Sequence, residues 1–158
     1  MLVLLFYLGD VAYTIKCDKV REVVPMMILK EMPNSPGFIA GLFNYRGTIV
    51  PVIDLCRLIH GRPCSMRLST RIILVDYLRT DGTPFILGLM AERVTEAVRI
   101  SPDAIISAGL KVEGAPYLGG VVMEKDDMIK YIDVDKLPNS FQLLPMVRTN
   151  GNQIPDLC

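Results

Sequence analysis

An internal repeat is the feature of this sequence that most constrains its fold. Residues 38–58 lie without gaps over residues 117–137, so that Gly41 aligns with Gly120 and Asp54 with Asp133. A shorter segment, 17–24, aligns with 91–98 in the same order along the chain. Such repetition indicates two copies of one supersecondary unit. A unit of roughly 70 residues buries only a modest core alone, so we expect the two to pack together and to form a groove at their junction.

Both copies carry the pattern of β-strands with short helices. Runs rich in β-branched and aromatic residues, separated by turn residues, predict strands over 1–8, 11–16, 71–78 and 85–90. Residues 38–46 and 48–54 are predicted to form a hairpin closed at Gly47. Brief helices are predicted over 18–24, with Asp18 as N-cap and Pro25 as the stop, and over 55–59. Asp54 and Asp133 follow strands and are predicted to cap helices.

Charge and composition exclude several classes of partner. The chain has 17 Lys and Arg residues and 17 Asp and Glu residues, so it lacks the positive field that nucleic acid or an anionic membrane requires. Half of the residues are hydrophobic, yet only 7% are aromatic, which favours an aliphatic core. The apolar run at 1–8 is much shorter than the ~20 residues of a membrane span and lacks the features of a signal peptide. We therefore expect a cytoplasmic protein.

The residues that usually carry chemistry are sparse. The four cysteines, Cys17, Cys56, Cys64 and Cys158, include no CxxC pair, and we expect buried free thiols. His60 is the only histidine, and we expect a capping or solvated role for it. The doublet at 126–127 is typical of a solvated turn, and the common phosphate-binding, hydrolase and metalloprotease motifs are absent from the sequence. The sequence therefore predicts no enzyme, no metal and no cofactor.

Exposed polar residues remain as candidates for binding another protein. Arg46 stands beside the turn residue Gly47, so its guanidinium group should project from the end of the hairpin; a solvated turn residue and an interaction role both remain open. Val20 and Glu22 are predicted on the first short helix, Val20 in the core and Glu22 on the solvated face.

Three segments together resemble the CheW family of chemotaxis coupling proteins: LGDVAYTIKCDKVREVVP at 8–25, PNSPGFIAGLFNYRGTIVPVIDL at 33–55 and GLMAERVTEAVRI at 88–100. The resemblance implies an all-β fold of two SH3-like, five-stranded β-barrel subdomains without catalytic activity. It also implies that the protein bridges the cytoplasmic hairpin tip of a chemoreceptor and the regulatory domain of a CheA-type histidine kinase. By motif position, Arg46, Val20 and Glu22 would face the receptor, with Asn44 and Gly47 supporting the turn.

The resemblance covers residues 1–137, which we interpret as one domain. Subdomain 1 is predicted at 9–66, subdomain 2 at 67–137 together with the strand at 1–8, and 138–158 is a C-terminal extension. Tyr45 replaces a frequent leucine of the family, and Ala91 and Glu92 replace a frequent Val-Asp pair. The patterns at 61–77 and 114–120 look more like the coupling proteins of Wsp-type surface-sensing pathways, which feed a diguanylate cyclase.

The sequence thus leads to one principal functional hypothesis and two alternatives. The principal hypothesis is a non-catalytic adapter that couples a methyl-accepting chemoreceptor to a CheA-type kinase. The first alternative is a small-molecule sensor with an apolar ligand in the groove between the barrels, which requires a closed pocket lined by Met and Leu. The second is an enzyme that depends on His60.

Overall fold

The computed structural model describes residues 1–79, 81–107, 109, 113–124 and 126–138. Its strands, β1 to β11 in chain order, are Leu2–Leu8, Val11–Lys16, Val20–Pro25, Ile39–Tyr45, Thr48–Asp54, Arg71–Leu78, Pro84–Ala91, Arg93–Arg99, Ile105–Ser107, Gly120–Glu124 and Asp127–Tyr131. The α-helix α1 spans Leu55–His60, and single 3₁₀ turns occur at Cys17–Lys19, Pro102–Ala104, Pro116–Leu118 and Val134–Lys136. The predicted all-β fold class is confirmed.

The strands form two sheets. One sheet has the order β8-β1-β2-β11-β10-β9, and the other has the order β3-β6-β7-β5-β4. The second sheet has the predicted five strands, and the first gains a sixth because the three-residue strand β9 pairs with β10. The inward side chains of both sheets join in one large buried cluster, which includes Phe6 and Tyr13 from one sheet and Ile72 and Leu89 from the other.

The two copies of the repeat exchange their first hairpins. The hairpin β1-β2 pairs with β8 and β11 of the second copy, and the hairpin β6-β7 pairs with β3 and β5 of the first. The registers are equivalent: Glu22 lies opposite Leu74, as Glu96 lies opposite Leu5, and each pairing has its bulge at the same place. Each sheet is therefore completed by strands from both halves of the chain.

Because of this exchange, the two sheets do not correspond to the two segments predicted as subdomains. Strands β6 and β7 lie beyond residue 66, yet they pair with β3 and β5 in the five-stranded sheet. Strand β2 lies in the region predicted as subdomain 1, yet it pairs with β1 and β11 in the six-stranded sheet. Each sheet therefore contains strands from both sides of the predicted boundary between residues 66 and 67. The reason is that the two copies of the repeat exchange their hairpins.

The helix predicted over 18–24 is wrong. The chain makes one 3₁₀ turn at Cys17–Lys19 and then the strand β3, in which Val20, Glu22 and Val24 are half-buried while the residues between them are exposed. Val20 and Val24 fit a helical spacing of four and also a strand spacing of two, and pairing with β6 selects the strand. Pro25 is tolerated because it ends a strand at the edge of the sheet.

Several local predictions are confirmed. The hairpin β4-β5 turns at Arg46 and Gly47, and α1 follows β5 directly. The carboxylate of Asp54 accepts a hydrogen bond from Arg57 N at 3.1 Å, and that of Asp133 accepts one from Asp135 N at 3.1 Å, so both cap helical turns as predicted. Within the described part of the chain, no helix is long and apolar enough to cross a membrane.

Candidate functional site

The candidate site is built on the turn that joins β4 to β5. Arg46 and Gly47 both have positive φ, at 50° and 88°, which is the backbone of a two-residue hairpin turn that matches the twist of the strands. The side-chain oxygen of Asn44 accepts a hydrogen bond from Gly47 N at 2.7 Å and fixes the turn. The side chain of Arg46 is 75% exposed, so the turn presents its guanidinium group to solvent.

A positive φ has a cost at Arg46 that it does not have at Gly47. The left-handed conformation is disfavoured for a residue with a Cβ atom by roughly 1–2 kcal/mol, and Gly or Asn would adopt it more readily. Since the Arg46 side chain is mostly exposed, the stability of the turn does not explain why an arginine stands there. A strained backbone at an exposed residue indicates that the residue is kept for a function rather than for stability.

Glu22 and Tyr45 connect the turn to the opposite edge of the same sheet. The Tyr45 hydroxyl group donates a hydrogen bond to Glu22 Oε2, and Arg46 Nη2 lies 3.5 Å from the same oxygen. The Arg46 guanidinium carbon lies 5.0 Å from the centre of the Tyr45 ring. The hydrogen bond to Glu22 is the main cause that raises the pKa of Tyr45 above its ordinary value. These three side chains, Glu22, Tyr45 and Arg46, form what we call the seam cluster.

The seam cluster marks where the five-stranded sheet closes into a barrel. Glu22 belongs to β3 and Tyr45 to β4, which are the two edge strands of this sheet. Their direct contact requires the sheet to curve until its edges meet, which protects edges that would otherwise be open to other chains. The seam therefore carries both a structural contact and an exposed cation.

The structure brings together some of the predicted site residues. Arg46 and Glu22 meet in the seam cluster, and Asn44 and Gly47 form the turn that supports them. Val20 lies two residues before Glu22 on β3, across a bulge in the strand, and is half-buried against the main core. In the sequence, Tyr45 stands out only as a departure from the family pattern. Nothing in the local sequence reveals its contact with Glu22, because Glu22 is 23 residues away.

His60 has a role other than the predicted capping or solvation. Its Nε2 atom and the hydroxyl group of Tyr13 are hydrogen-bonded at 2.8 Å, which links the end of α1 to β2 of the other sheet. Burial, followed by the positive charges of Arg62 and Lys130, lowers the pKa of His60 below its ordinary value. The imidazole therefore stays neutral at neutral pH and acts as a tether between the two sheets.

A second polar cluster is buried at the start of α1. Cys56 and Cys64 are buried, as predicted for free thiols; Cys17 is half-buried, and Cys158 lies outside the described residues. A carboxylate oxygen of Asp54 and the two sulfur atoms of Cys56 and Cys64 lie within 4.8 Å of one another.

Glu92 lies beside these thiols and is almost fully buried. Its carboxylate accepts hydrogen bonds from Gly9 N at 2.5 Å, Ser65 N at 2.8 Å and Arg62 Nη2 at 3.0 Å. Burial would raise the pKa of Glu92, but the hydrogen bonds from Arg62 and Ser65 outweigh it and hold this pKa well below the ordinary range. Glu92 is therefore a buried anion that ties the turn after β1 to the loop after α1.

A shallow apolar groove of about 420 Å³ lies beside the five-stranded sheet. It is open to solvent, and its lining residues come from the segment after β3, from β4 and β7, and from the loop after α1: Met26, Met27, Ile28, Leu29, Ala40, Met66 and Met90. The groove is rich in Met, as the sensor hypothesis requires, but it is neither closed nor placed between the two sheets.

The fold and the seam cluster define a protein of two intertwined β-barrels with an exposed turn at Arg46, and known proteins share this architecture. The crystal structure of the scaffolding protein TtCheW from Thermoanaerobacter tengcongensis is similar, with a TM-score of 0.75 and 28% identity, over 89% of this chain and 86% of that one. The CheW-like domain family matches residues 2–142, and the chain belongs to that family.

Curated relatives agree with this assignment. The chemotaxis protein CheW of Treponema pallidum is 26% identical over 140 residues, which is 87% of this chain and 82% of the relative. The chemotaxis protein CheW of Klebsiella aerogenes is 29% identical over 146 residues, which is 89% of this chain and 82% of the relative. The protein FrzA of Myxococcus xanthus is 27% identical over 135 residues, which is 84% of this chain and 81% of the relative. The resemblance inferred from the sequence motifs is confirmed.

Proposed function

We propose that this protein is a non-catalytic, cytoplasmic adapter that joins the hairpin tip of a methyl-accepting chemoreceptor to the regulatory domain of a CheA-type histidine kinase. Membership of the CheW family supports a coupling role in a chemotaxis-type pathway. The single observation that carries the receptor-binding part is Arg46, an exposed cation in a strained turn. Val20 and Glu22 on the neighbouring edge strand complete the proposed receptor-facing surface.

The charge arrangement in the seam cluster suits a partner with a carboxylate. Glu22 accepts a hydrogen bond from the Tyr45 hydroxyl group, and Arg46 Nη2 forms only a long ion pair with the same oxygen. A guanidinium group has five N–H donors, so Arg46 can donate to a further acceptor. The Arg46 to Glu22 contact is 3.5 Å long and solvent-exposed, and such ion pairs contribute little to stability. Arg46 can therefore turn toward a carboxylate on a receptor helix at small cost to the fold.

The experiment that tests this proposal separates the side chain of Arg46 from its backbone strain. Arg46→Gly removes the guanidinium group and relieves the positive φ, so the free energy of unfolding should stay equal or rise. Binding to the cytoplasmic fragment of a chemoreceptor from the same organism should fall about tenfold, which corresponds to about 1.4 kcal/mol. Arg46→Glu should weaken binding further by placing a second carboxylate beside Glu22.

The matched control is Arg99→Glu, a charge reversal at an exposed position on β8 of the other sheet. This variant should bind the receptor fragment as the wild type does. If Arg46→Glu remains folded and also binds as the wild type does, Arg46 does not belong to the receptor site. If the wild-type protein binds neither a chemoreceptor fragment nor a CheA-type kinase from the same organism, the coupling function itself is wrong.

The assignment to a Wsp-type pathway stays a prediction and concerns only the output of the kinase. Deleting the gene should then change the level of cyclic diguanylate rather than the direction of swimming. The small-molecule sensor gains no support, because the observed Met-lined groove is open and lies to one side of the five-stranded sheet.

A further inference from the structure

The buried cysteine pair has a geometry that its burial alone does not require. Cys56 is the second residue of α1, and Cys64 lies in the loop that follows the helix. The two sulfur atoms are 2.8 Å apart, and the Cys64 thiol donates toward the Cys56 sulfur. The Cys56 thiol in turn lies 3.3 Å from Glu92 Oε1 and donates toward it. The two thiols therefore face each other directly and form a short chain that ends on a carboxylate.

The backbone holds this arrangement in place. Gly61 ends α1 with a φ of 73°, so the chain reverses direction after the helix. Cys64 N then donates to both oxygens of the Asp54 carboxylate, at 3.0 and 3.2 Å, and the same carboxylate caps α1. The residue that caps the helix of Cys56 thus also anchors the backbone of Cys64. A loop held in this way presents the two sulfur atoms to each other without further movement of the chain.

The spacing fits a covalent bond between the sulfur atoms better than a shared metal ion. A disulfide bond is about 2.05 Å long, so the observed 2.8 Å needs a small approach. Two thiolates on a tetrahedral zinc ion, each about 2.3 Å from the metal, stand roughly 3.8 Å apart, so the sulfur atoms would have to separate.

The neighbouring carboxylates do not favour a metal either. The oxygens of Asp54 already accept backbone hydrogen bonds from Arg57 and Cys64, and a metal would compete with both. Glu92, the other nearby carboxylate, is held by Arg62, Gly9 and Ser65. Metal binding would therefore have to break contacts that disulfide formation leaves intact.

We propose that Cys56 and Cys64 are a modification site at which a two-electron oxidant forms an intramolecular disulfide in the folded protein. Each thiol loses one hydrogen atom, the S–S bond forms, and the oxidant takes up two electrons and two protons. With diazenedicarboxamide as the oxidant, the N=N bond is reduced to the corresponding hydrazine. The product ties the first turn of α1 to the loop that follows it.

The site's burial sets the rate and the specificity of the reaction. The hydrogen bond to Cys56, together with burial and the charge of Asp54, raises the pKa of Cys64, so its thiol stays protonated at neutral pH. Only thiolates react readily, and the disulfide should form over minutes to hours rather than seconds. Cys17 is more exposed than Cys56 and Cys64, and neither of these cysteines lies close enough to form a bond with it. Its oxidation should therefore give adducts or disulfides between molecules.

The test uses the full chain with Cys17→Ser and Cys158→Ser, so that only the buried pair can react. The native protein is incubated with diazenedicarboxamide, alkylated and digested with trypsin. Cleavage after Arg46, Arg57 and Arg67 separates Cys56 and Cys64 into the peptides 47–57 and 58–67. The expected product is these two peptides joined, with a mass lower by two hydrogen atoms than their sum, and reversed by a thiol reductant.

The matched control adds Cys56→Ser to the same background and should yield no joined peptides within one molecule. Three outcomes would overturn the proposal. The first is recovery of both cysteines, alkylated and unlinked, from the folded protein after hours with the oxidant. The second is formation of the link only after the chain is unfolded by urea. The third is binding of zinc, added at equal concentration, to the reduced pair with a block of the reaction.

Discussion

The hydroxyl group of Tyr45 donates a hydrogen bond to the carboxylate of Glu22, and this contact joins the two edge strands of the five-stranded sheet. Strands β3 and β4 thereby close one barrel. Arg46 stands directly beside the contact and shares the same carboxylate oxygen. The candidate binding surface therefore includes Glu22, one of the two side chains that close the barrel.

Tyr45→Phe should lower the urea concentration at the midpoint of unfolding, because Glu22 loses a donor while the ring remains. The effect should be smaller than that of the buried substitutions described below, since Glu22 is partly exposed and water can replace the hydroxyl group. The matched control is Tyr7→Phe on β1 of the other sheet, where the ring packs under Arg93. If both substitutions have equal effects, the seam hydrogen bond does not stabilise the closed barrel.

Asp54→Ala should destabilise the protein more than Asp133→Ala, although the two residues are equivalent in the repeat. Asp54 is buried and accepts hydrogen bonds from the backbone of both Arg57 and Cys64. Asp133 is more exposed; it accepts a hydrogen bond from Asp135 N and lies 3.9 Å from Lys136 Nζ. We expect a loss of about 2–3 kcal/mol for Asp54→Ala and about 1 kcal/mol for Asp133→Ala. Urea unfolding of the two variants side by side measures the difference.

Glu92→Gln should make stability less sensitive to acid. Because the pKa of Glu92 in the folded protein lies below its ordinary value of 4.5, its stabilising contribution is complete above that pH and is lost as the pH falls toward the folded pKa. At neutral pH the substitution should cost about 2 kcal/mol, less than for a fully buried pair because Arg62 is partly exposed.

The measurement is the free energy of unfolding at several pH values between neutrality and pH ~3. As the pH is lowered below 4.5, the free energy of unfolding should fall more steeply for the wild type than for Glu92→Gln. Parallel curves would mean that the Glu92 carboxylate is not stabilised as an anion in the folded protein.

Gly41→Ala should be more harmful than Gly120→Ala, its counterpart in the second copy of the repeat. Gly41 has a φ of 150°, and a Cβ atom there would lie 2.7 Å from Lys30 O and 2.9 Å from Leu29 Cβ. At Gly120 the nearest atom is Cδ1 of the Tyr131 ring, at 2.9 Å, which can move aside. We expect about 2 kcal/mol or more for Gly41→Ala and a smaller loss for Gly120→Ala, measured by thermal and urea unfolding.

A fragment of residues 1–66 should not fold alone, because its strands β3 and β5 lack their partners β6 and β7. Circular dichroism and the proton NMR spectrum should show an unfolded chain, while the fragment 1–138 should be folded. Mixing 1–66 with 67–138 should restore β-structure, since each sheet takes strands from both. A cooperatively folded 1–66 fragment would contradict the hairpin exchange.

Local sequence patterns predicted much of the secondary structure. The turn at Arg46 and Gly47, the capping by Asp54 and the strand positions depend on neighbouring residues, so spacing and turn chemistry are sufficient to predict them. The prediction of a helix over 18–24 was wrong because the spacing of Val20 and Val24 fits both an α-helix and a β-strand. Only pairing with β6 selects the strand. The family motif identified Arg46 and Glu22 but gave no reason for their proximity.

The sequence by itself determined that the chain is a repeated β-unit of the CheW family, because a repeat and a motif are properties of residue order. Only the tertiary structure decided which strands complete which sheet, that Tyr45 reaches Glu22 and that Cys56 faces Cys64. These contacts join residues from separate strands and loops, and they form when the sheets curve and the chain folds back over α1. Their energy comes from packing and burial over the whole molecule, which no local pattern records.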